Sequence, residues 1–153
     1  MKPLSVEARI DVFLGKYSPE VEGELRVARS HLQALFSHGH ELVYDNYNAL
    51  VFAFSCTDRT PDAFVSLAGY PKWVTLFFLP GVGLHDPRSL LQGSGAKVRS
   101  VRLRSAQQLL DPAVQALIAQ AMEPRRAALL AAGPLQTTIK LVSAKQRARR
   151  STA

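Results

Sequence analysis

Two short segments of the chain combine aromatic rings with polar groups in a way that suits ligand binding. Residues 44–48 read YDNYN and residues 70–73 read YPKW. Tyrosine and tryptophan join an apolar ring to a polar tip, so they suit pockets that are half apolar and half hydrogen-bonding. Eight side chains are expected to form such a pocket: Tyr44, Asp45, Tyr47, Asn48, Tyr70, Lys72, Trp73 and Arg99. The alternative is that Asp45 and Asn48 cap a turn while the rings close the edge of the core.

A glycine-rich loop is a second candidate. Gly93, Ser94 and Gly95 precede Lys97 and Arg99, and backbone N–H groups in such a loop can form a concave anion site with cations nearby. The loop is neither a P-loop nor a dinucleotide-binding motif, because the required spacing and strand-to-helix order are missing. The alternative is an ordinary turn before a strand.

Metal ligation and catalysis have weaker signals. His38 and His40 are imidazoles two residues apart, which a first-row metal accepts as ligands, although a histidine at a helix exit is also favourable for the helix dipole. The lone cysteine, Cys56, ends an apolar segment where a buried thiol is common. The sequence shows neither a nucleophile-elbow pattern nor a metalloprotease helix, so we predict a protein that is not an enzyme and needs no cofactor.

Composition favours one ordinary globular domain. The chain has 153 residues, of which 47% are hydrophobic and 20% charged. Its longest apolar run, 49–54, is far shorter than the roughly 20 residues that cross a membrane, so we expect no membrane association. The N-terminal segment carries Glu7 and Asp11 where an export signal would be apolar, and one cysteine permits no intramolecular disulfide. We therefore expect a cytoplasmic protein.

The positive charge is concentrated near the C-terminus. The net charge is +7, and five of the cations follow Pro134 without any acidic residue: Lys140, Lys145, Arg147, Arg149 and Arg150. Such a segment can contact phosphates non-specifically. Since it lacks interleaved aromatic residues or a recognition helix, the sequence favours a solvated tail, or one docked on acidic helix faces, over a specific nucleic-acid partner.

Helix signals flank a block of short apolar segments. Ser18 before Pro19 and Asp111 before Pro112 are each typical of an N-cap followed by a first-turn proline. Between them, apolar runs alternate with Asn, Asp, Pro and Gly, which predicts strands joined by tight turns. Val98, Val101 and Leu103 do not share a face under strict alternation, which predicts a bulge near Ser100.

These elements predict an α+β domain with a two-layer arrangement: an antiparallel meander of about five strands with N-terminal and C-terminal helices packed on it. We place the domain at residues 1–133, followed at 134–153 by a short extended segment and the basic tail. The edge strands of such a sheet make a homodimer plausible. Thirteen residues are expected in the core: Val21, Leu25, Leu32, Leu50, Phe52, Phe54, Val65, Leu67, Leu76, Phe78, Val101, Leu117 and Ile118.

Three segments also resemble a known family. Residues 44–50 match its YD-x-YNAL signature, 70–74 (YPKWV) its second landmark, and 91–95 (LQGSG) with Arg99 its third. The chain thereby resembles, over roughly residues 6–120, the YdhG-like family of small bacterial domains. That resemblance implies a fold like that of secretion chaperones and carries no catalytic residues to transfer.

The sequence supports two alternative functions. We expect a non-enzymatic binding domain for a small anionic or amphipathic ligand. Because some YdhG-like proteins are labelled frataxin-like iron chaperones, the resemblance also implies iron binding or delivery as an alternative. Iron would then use carboxylates as hard oxygen donors, and the candidates are Glu20, Glu22 and Glu24, which are otherwise the solvated side of a helix.

Overall fold

The computed structural model describes residues 3–150. Two helices come first, α1 (Val6–Leu14) and α2 (Pro19–Leu35). The Ser5 hydroxyl caps α1, and the Ser18 hydroxyl accepts a hydrogen bond from the backbone N–H of Val21 at the start of α2. The N-cap and first-turn proline predicted for α2 are therefore confirmed, as is the Asp111–Pro112 start of a later helix.

A mixed sheet follows, with further helices in the C-terminal third. Its strands are β1 (His40–Asp45), β2 (Leu50–Ser55), β3 (Ala63–Gly69), β4 (Val74–Phe78), β5 (Arg99–Leu103) and β6 (Gln136–Val142). The later helices are α3 (Pro112–Met122) and α4 (Arg126–Ala132), and short 3₁₀ turns span Thr60–Asp62, Ala106–Leu110 and Glu123–Arg125. No helix within residues 3–150 combines the length and the apolar character needed to cross a bilayer.

The sheet corrects two parts of the prediction. Its order is β5-β4-β3-β2-β1-β6, with antiparallel pairing from β5 to β1 and parallel pairing of β6 with β1. The sheet is therefore six-stranded and mixed, rather than a five-stranded antiparallel meander. The extended segment after Gly133, which we had set apart from the domain, supplies β6 and satisfies the backbone groups along the free edge of β1.

The predicted bulge near Ser100 is wrong. Strand β5 begins at Arg99 and pairs residue by residue with β4, so Val101 and Leu103 share the buried face while Val98 lies outside the strand and is exposed. The irregular pairing occurs elsewhere, between Val43 and Tyr44 against β6 and between Phe54 and Ser55 against β3.

The core lies between the helices and one face of the sheet. Alternate residues of the strands, such as Phe52, Leu67 and Leu76, join Leu25 and Leu117 in one buried cluster. All thirteen residues predicted for the core are buried. The coarse prediction of an α+β domain is thus confirmed.

A buried arginine ties both N-terminal helices to β1. The guanidinium of Arg29 in α2 donates to both carboxylate oxygens of Glu41 in β1 at 2.9 Å and to Glu7 in α1 at 3.0 and 3.1 Å. Burial lowers the pKa of Arg29, but the hydrogen bonds to Glu41 and Glu7 outweigh it and the net shift is upward. Thr137 of β6 donates to Glu41 at 2.7 Å, so the carboxylate also fixes the sixth strand.

We predict that Gly69→Ala destabilises the domain while Gly23→Ala does not. A Cβ at Gly69, on β3 beneath α2, would lie 2.5 Å from a methyl carbon of the buried Leu25. Overpacking of this kind costs about 1–3 kcal/mol of unfolding free energy. A Cβ at the exposed helical Gly23 meets nothing within 4 Å, so that variant should gain about 0.5–1 kcal/mol.

Urea denaturation of both variants measures these effects. Leu25→Ala should cost less in the Gly69→Ala background than in the wild-type protein, because the truncated side chain makes room for the new methyl group. Equal costs in the two backgrounds would contradict the packing described for β3 and α2.

Candidate functional site

An open cleft lies where the β1–β2 turn, the β3–β4 turn and the C-terminal segment meet. We call it the aromatic cleft; its lining residues are Asn48, Tyr70, Pro71, Lys72, Trp73 and Arg147. The backbone N–H of Tyr70 donates to the Trp73 carbonyl at 2.8 Å, which closes the β3–β4 turn. The turn brings the two rings side by side, with centroids 5.4 Å apart and planes 27° from parallel.

The stacked pair is extended by a cation from β5. Arg102 is exposed and pairs with Thr75, two residues after Trp73. Its guanidinium carbon lies 3.8 Å from the centroid of the Trp73 ring. A guanidinium at this distance is attracted by the ring quadrupole. Trp73 is thus in contact with both a phenol ring and a cation.

A second ring–cation pair borders the cleft. Tyr47 is 49% exposed, and the Arg147 guanidinium carbon lies 5.7 Å from its ring centroid. The backbone N–H of Arg147 donates to the Tyr47 carbonyl at 2.8 Å. With the exposed Lys72, the cleft therefore has two cations beside its aromatic wall.

A buried ion cluster holds the segments that form the cleft. Asp45, at the end of β1, has no exposed surface. Its Oδ2 accepts a hydrogen bond of 2.7 Å from Lys16 Nζ. Its Oδ1 lies 3.0 Å from Nη2 of Arg149, which is a close ion pair rather than a well-directed hydrogen bond. Two cations therefore neutralise one buried carboxylate, and the cluster leaves positive charge next to the cleft.

Tyr17 connects this cluster to three backbone segments. Its hydroxyl donates to the Gly69 carbonyl at 2.6 Å and accepts hydrogen bonds from the Leu50 N–H at 3.1 Å and from Arg149 at 2.8 Å. Burial raises the pKa of Tyr17 although Arg149 and the Leu50 N–H lower it. The phenol therefore keeps its proton and remains a donor to Gly69, the residue before Tyr70.

The C-terminal segment, residues 143–150, is fastened to the domain at several points, although most of its residues are exposed. Ser143 and Gln146 both donate to the Asp45 carbonyl, at 2.9 and 3.0 Å. Arg149 is 3% exposed and donates to the Asn46 carbonyl. Arg150 donates to the Gly15 carbonyl at 3.2 Å. Of the two alternatives expected for the tail, the segment is docked rather than free, but it docks on the carbonyls of the β1–β2 turn and the α1–α2 turn and on the buried Asp45 rather than on acidic helix faces.

The residues expected to form one pocket separate into groups. Asn48, Tyr70, Lys72 and Trp73 line the cleft, and Tyr47 borders it through Arg147. Asp45 is buried in the ion cluster. Tyr44 is on the opposite face of the sheet from Val43, where its hydroxyl lies 2.6 Å from that of Thr60.

Arg99 lies at the far end of the sheet from the cleft. It pairs with Phe78, whereas the cleft residues lie beyond Val74 at the other end of β4. Its guanidinium donates to the carbonyls of Gly95 and Val98 at 2.6 and 2.8 Å. Gly93 has a φ of 124°. The loop therefore holds Arg99 through carbonyl oxygens, and the geometry favours an ordinary turn over an anion site.

The metal candidates are dispersed. Glu22 pairs with Arg26 at 2.9 Å, and Glu24 accepts a hydrogen bond from the backbone N–H of Ala106. Glu20 lies with Glu24 at a small neighbouring cleft of about 130 Å³.

The two histidine candidates are also separate from these carboxylates. His38 lies 3.1 Å from the Ser37 hydroxyl, and His40 starts β1. Within residues 3–150, no three His, Cys, Asp or Glu side chains are grouped closely enough to hold a metal ion.

Cys56 is half-buried, with its sulfur 4.0 Å from the Arg125 carbonyl. Burial raises its pKa above the ordinary value although Arg125 acts in the opposite direction. The thiol is therefore less nucleophilic than a free cysteine at neutral pH.

Three contributors to the site were not identified from the sequence: Tyr17, Arg102 and Arg147. Tyr17 follows Lys16 in the turn between α1 and α2, and Arg102 lies on the exposed face of β5. The sequence contained one signal for these contacts. Five cations follow Pro134 without an acidic residue, and the carboxylate of Asp45 is available to pair with one of them.

Comparison of the chain with protein-family models, with curated proteins and with solved structures gave no match. The resemblance to the YdhG-like family therefore stays a prediction. The functional argument depends on the geometry of the cleft and the ion cluster alone.

We predict that Arg149→Leu lowers the unfolding free energy by about 1.5–3 kcal/mol, because it removes the charged hydrogen bonds to Tyr17 and Asn46 while Lys16 stays paired with Asp45. Arg150→Ala removes the same charge from an exposed neighbour and should change it by less than about 0.5 kcal/mol. Denaturant unfolding followed by circular dichroism gives both values. Similar losses for the two variants would contradict a buried role for Arg149.

Proposed function

We propose that this protein is a cytoplasmic, non-enzymatic binding domain of the YdhG-like, two-layer type. Its ligand would be a small anionic or amphipathic molecule held in the aromatic cleft. The observation that carries the proposal is the stacked Tyr70–Trp73 pair with Lys72 and Arg147 at the same cleft.

The cleft matches a ligand that has a planar apolar part and a negative charge. The rings offer a stacking surface, while Lys72 and Arg147 offer charged donors, of which the guanidinium can bind a carboxylate or phosphate through two parallel hydrogen bonds. Asn48 adds an amide that can donate or accept. Because Asp45 is neutralised within its own cluster, it does not cancel the attraction of these cations for an anion.

The character of the lining favours binding over catalysis. Burial raises the pKa of Tyr70, so its phenol acts as a proton-bearing donor rather than as a base. Lys72 and Arg147 supply the positive charge of the lining. These groups orient and neutralise an anion, whereas general acid–base chemistry requires a group whose pKa is close to the working pH.

The iron alternative has less geometric support. Of its three candidate carboxylates, Glu22 is paired with Arg26 and Glu24 is bound to the Ala106 N–H. An iron ion would have to displace both contacts to bind all three. Self-association also stays a prediction; β5 and β6 are the two edges of the sheet at which it would occur.

The intrinsic fluorescence of Trp73 tests the proposal directly, because it is the one tryptophan of the chain. We expect 2-naphthoate, which joins a planar ring to a carboxylate, to quench this fluorescence saturably. The neutral 2-naphthalenemethanol and the non-aromatic cyclohexanecarboxylate should each bind more weakly, since each lacks one half of the recognised chemistry.

Removal of one cleft cation should weaken 2-naphthoate binding. For Arg147→Ala we expect roughly a fivefold to tenfold increase in Kd, equivalent to about 1–1.4 kcal/mol for an exposed charged contact. Arg59→Ala is the matched control, because Arg59 is exposed in the loop at the other end of β2. Failure of 2-naphthoate to affect Trp73, or equal effects of the two substitutions, would contradict the proposed cleft.

A further inference from the structure

We propose that the aromatic cleft binds single-stranded nucleic acid, with bases stacking on its rings and phosphates contacting its cations. This inference depends on the proposed function, since it assigns a ligand class to the same cleft. It departs from the sequence-based expectation of no specific nucleic-acid partner, because the structure brings together rings and cations that are far apart along the chain.

The first observation is the alternation of rings and cations around the cleft. Tyr70 and Trp73 stack with ring centroids 5.4 Å apart, and the Arg102 guanidinium carbon lies 3.8 Å from the Trp73 ring centroid. Tyr47 and Arg147 form a second pair at 5.7 Å. Proteins that bind single strands combine stacking platforms of this kind with a positively charged groove, and each stacked base contributes about 1–3 kcal/mol.

The second observation is that the cleft is open. Asn48, Lys72 and Arg147 are exposed along it, whereas a small-molecule site usually buries most of its ligand. An isolated planar anion would stay partly solvated there and bind weakly. A chain of nucleotides repeats the same planar and anionic unit, so several weak contacts along one molecule add up.

The third observation is that cations continue beyond the cleft along the C-terminal segment. Lys145 and Arg150 flank Arg147 and are exposed, while Arg149 fixes the path of this segment through its buried contacts. Exposed cations along a fixed path suit a phosphate backbone, whose neutralisation releases counterions.

A duplex fits this surface less well than a single strand. Bases in a duplex are stacked on each other and do not present their faces to protein rings. The cleft is formed by two turns and an irregular segment, without a helix that could enter a major groove. The stacking rings therefore select for unpaired bases.

Fluorescence anisotropy with fluorescein-labelled rU8, dT8 and an eight-base-pair DNA duplex tests the inference at 50 and 200 mM salt. We expect both single strands to bind at least tenfold more tightly than the duplex. Tighter binding of rU8 than of dT8 would identify a preference for ribose or for uracil without the 5-methyl group, and equal binding would identify stacking and phosphate contacts common to both; each result supports the inference. Equal binding of duplex and single strands would reveal simple charge attraction and overturn it.

Three variants locate the binding. Tyr47→Ala and Arg147→Ala alter exposed residues and should raise the Kd for rU8 about tenfold, while Arg59→Ala should change it less than twofold. Arg147→Ala should also reduce the slope of log K against log salt by about 0.7. Circular dichroism confirms that each variant is folded. Equal binding by all three variants would overturn the inference.

Quenching of Trp73 by unlabelled UMP, rU8 and 2-naphthoate separates failure of this inference from failure of the proposed function. The inference predicts that rU8 quenches Trp73 at concentrations at least tenfold lower than UMP. If rU8 needs the same concentration as UMP, or if 2-naphthoate alone quenches, the inference is overturned while the binding cleft stands. If none of the three quenches Trp73, both are overturned.

Discussion

The burial of Asp45 is the constraint on which the path of the C-terminal segment depends. A carboxylate without access to water is unfavourable unless cations and hydrogen bonds compensate it. Lys16 comes from the turn after α1, and Arg149 comes from the end of the chain. The second of these contacts brings the chain back from β6 to the start of the fold, and it holds the C-terminal segment there. Tyr17 adds the hydrogen bonds that make this arrangement specific.

The same cluster determines the shape of the candidate site. Arg149 is bound to the carbonyl of Asn46 and to the hydroxyl of Tyr17, which holds Gly69. The residues that follow Asn46 and Gly69 are Tyr47 and Tyr70, the rings at the cleft. Stability and the shape of the candidate site are thus coupled: contacts that neutralise a buried charge also place Arg147 beside the ring of Tyr47.

Local features of the fold could be predicted from the sequence, and long-range ones could not. Ser18 before Pro19 determines a helix start through contacts within one turn, and the continuous apolar run 49–54 identifies Phe52 as a core residue from neighbours alone. Pairing of β6 with β1 depends on a partner almost a hundred residues away, and its parallel direction has no local signal. The candidate site likewise has local features that could be predicted from the sequence and long-range features that could not. The turn between β3 and β4 places Tyr70 beside Trp73 as the motif suggested, whereas Tyr44 was misplaced because strand alternation directs it to the other face.

Amide hydrogen exchange is the most direct test that the C-terminal segment is part of the folded domain. The N–H of Ser143 donates to the Asp45 carbonyl and that of Arg147 to the Tyr47 carbonyl, both within 3 Å. The structure predicts that exchange at these two amides is slowed roughly 100-fold or more relative to an unstructured chain, and that Arg149→Leu removes much of this protection while β2 and β3 stay protected. Exchange of Ser143 and Arg147 at the unstructured rate in the wild-type protein, with the central strands protected, would contradict the account.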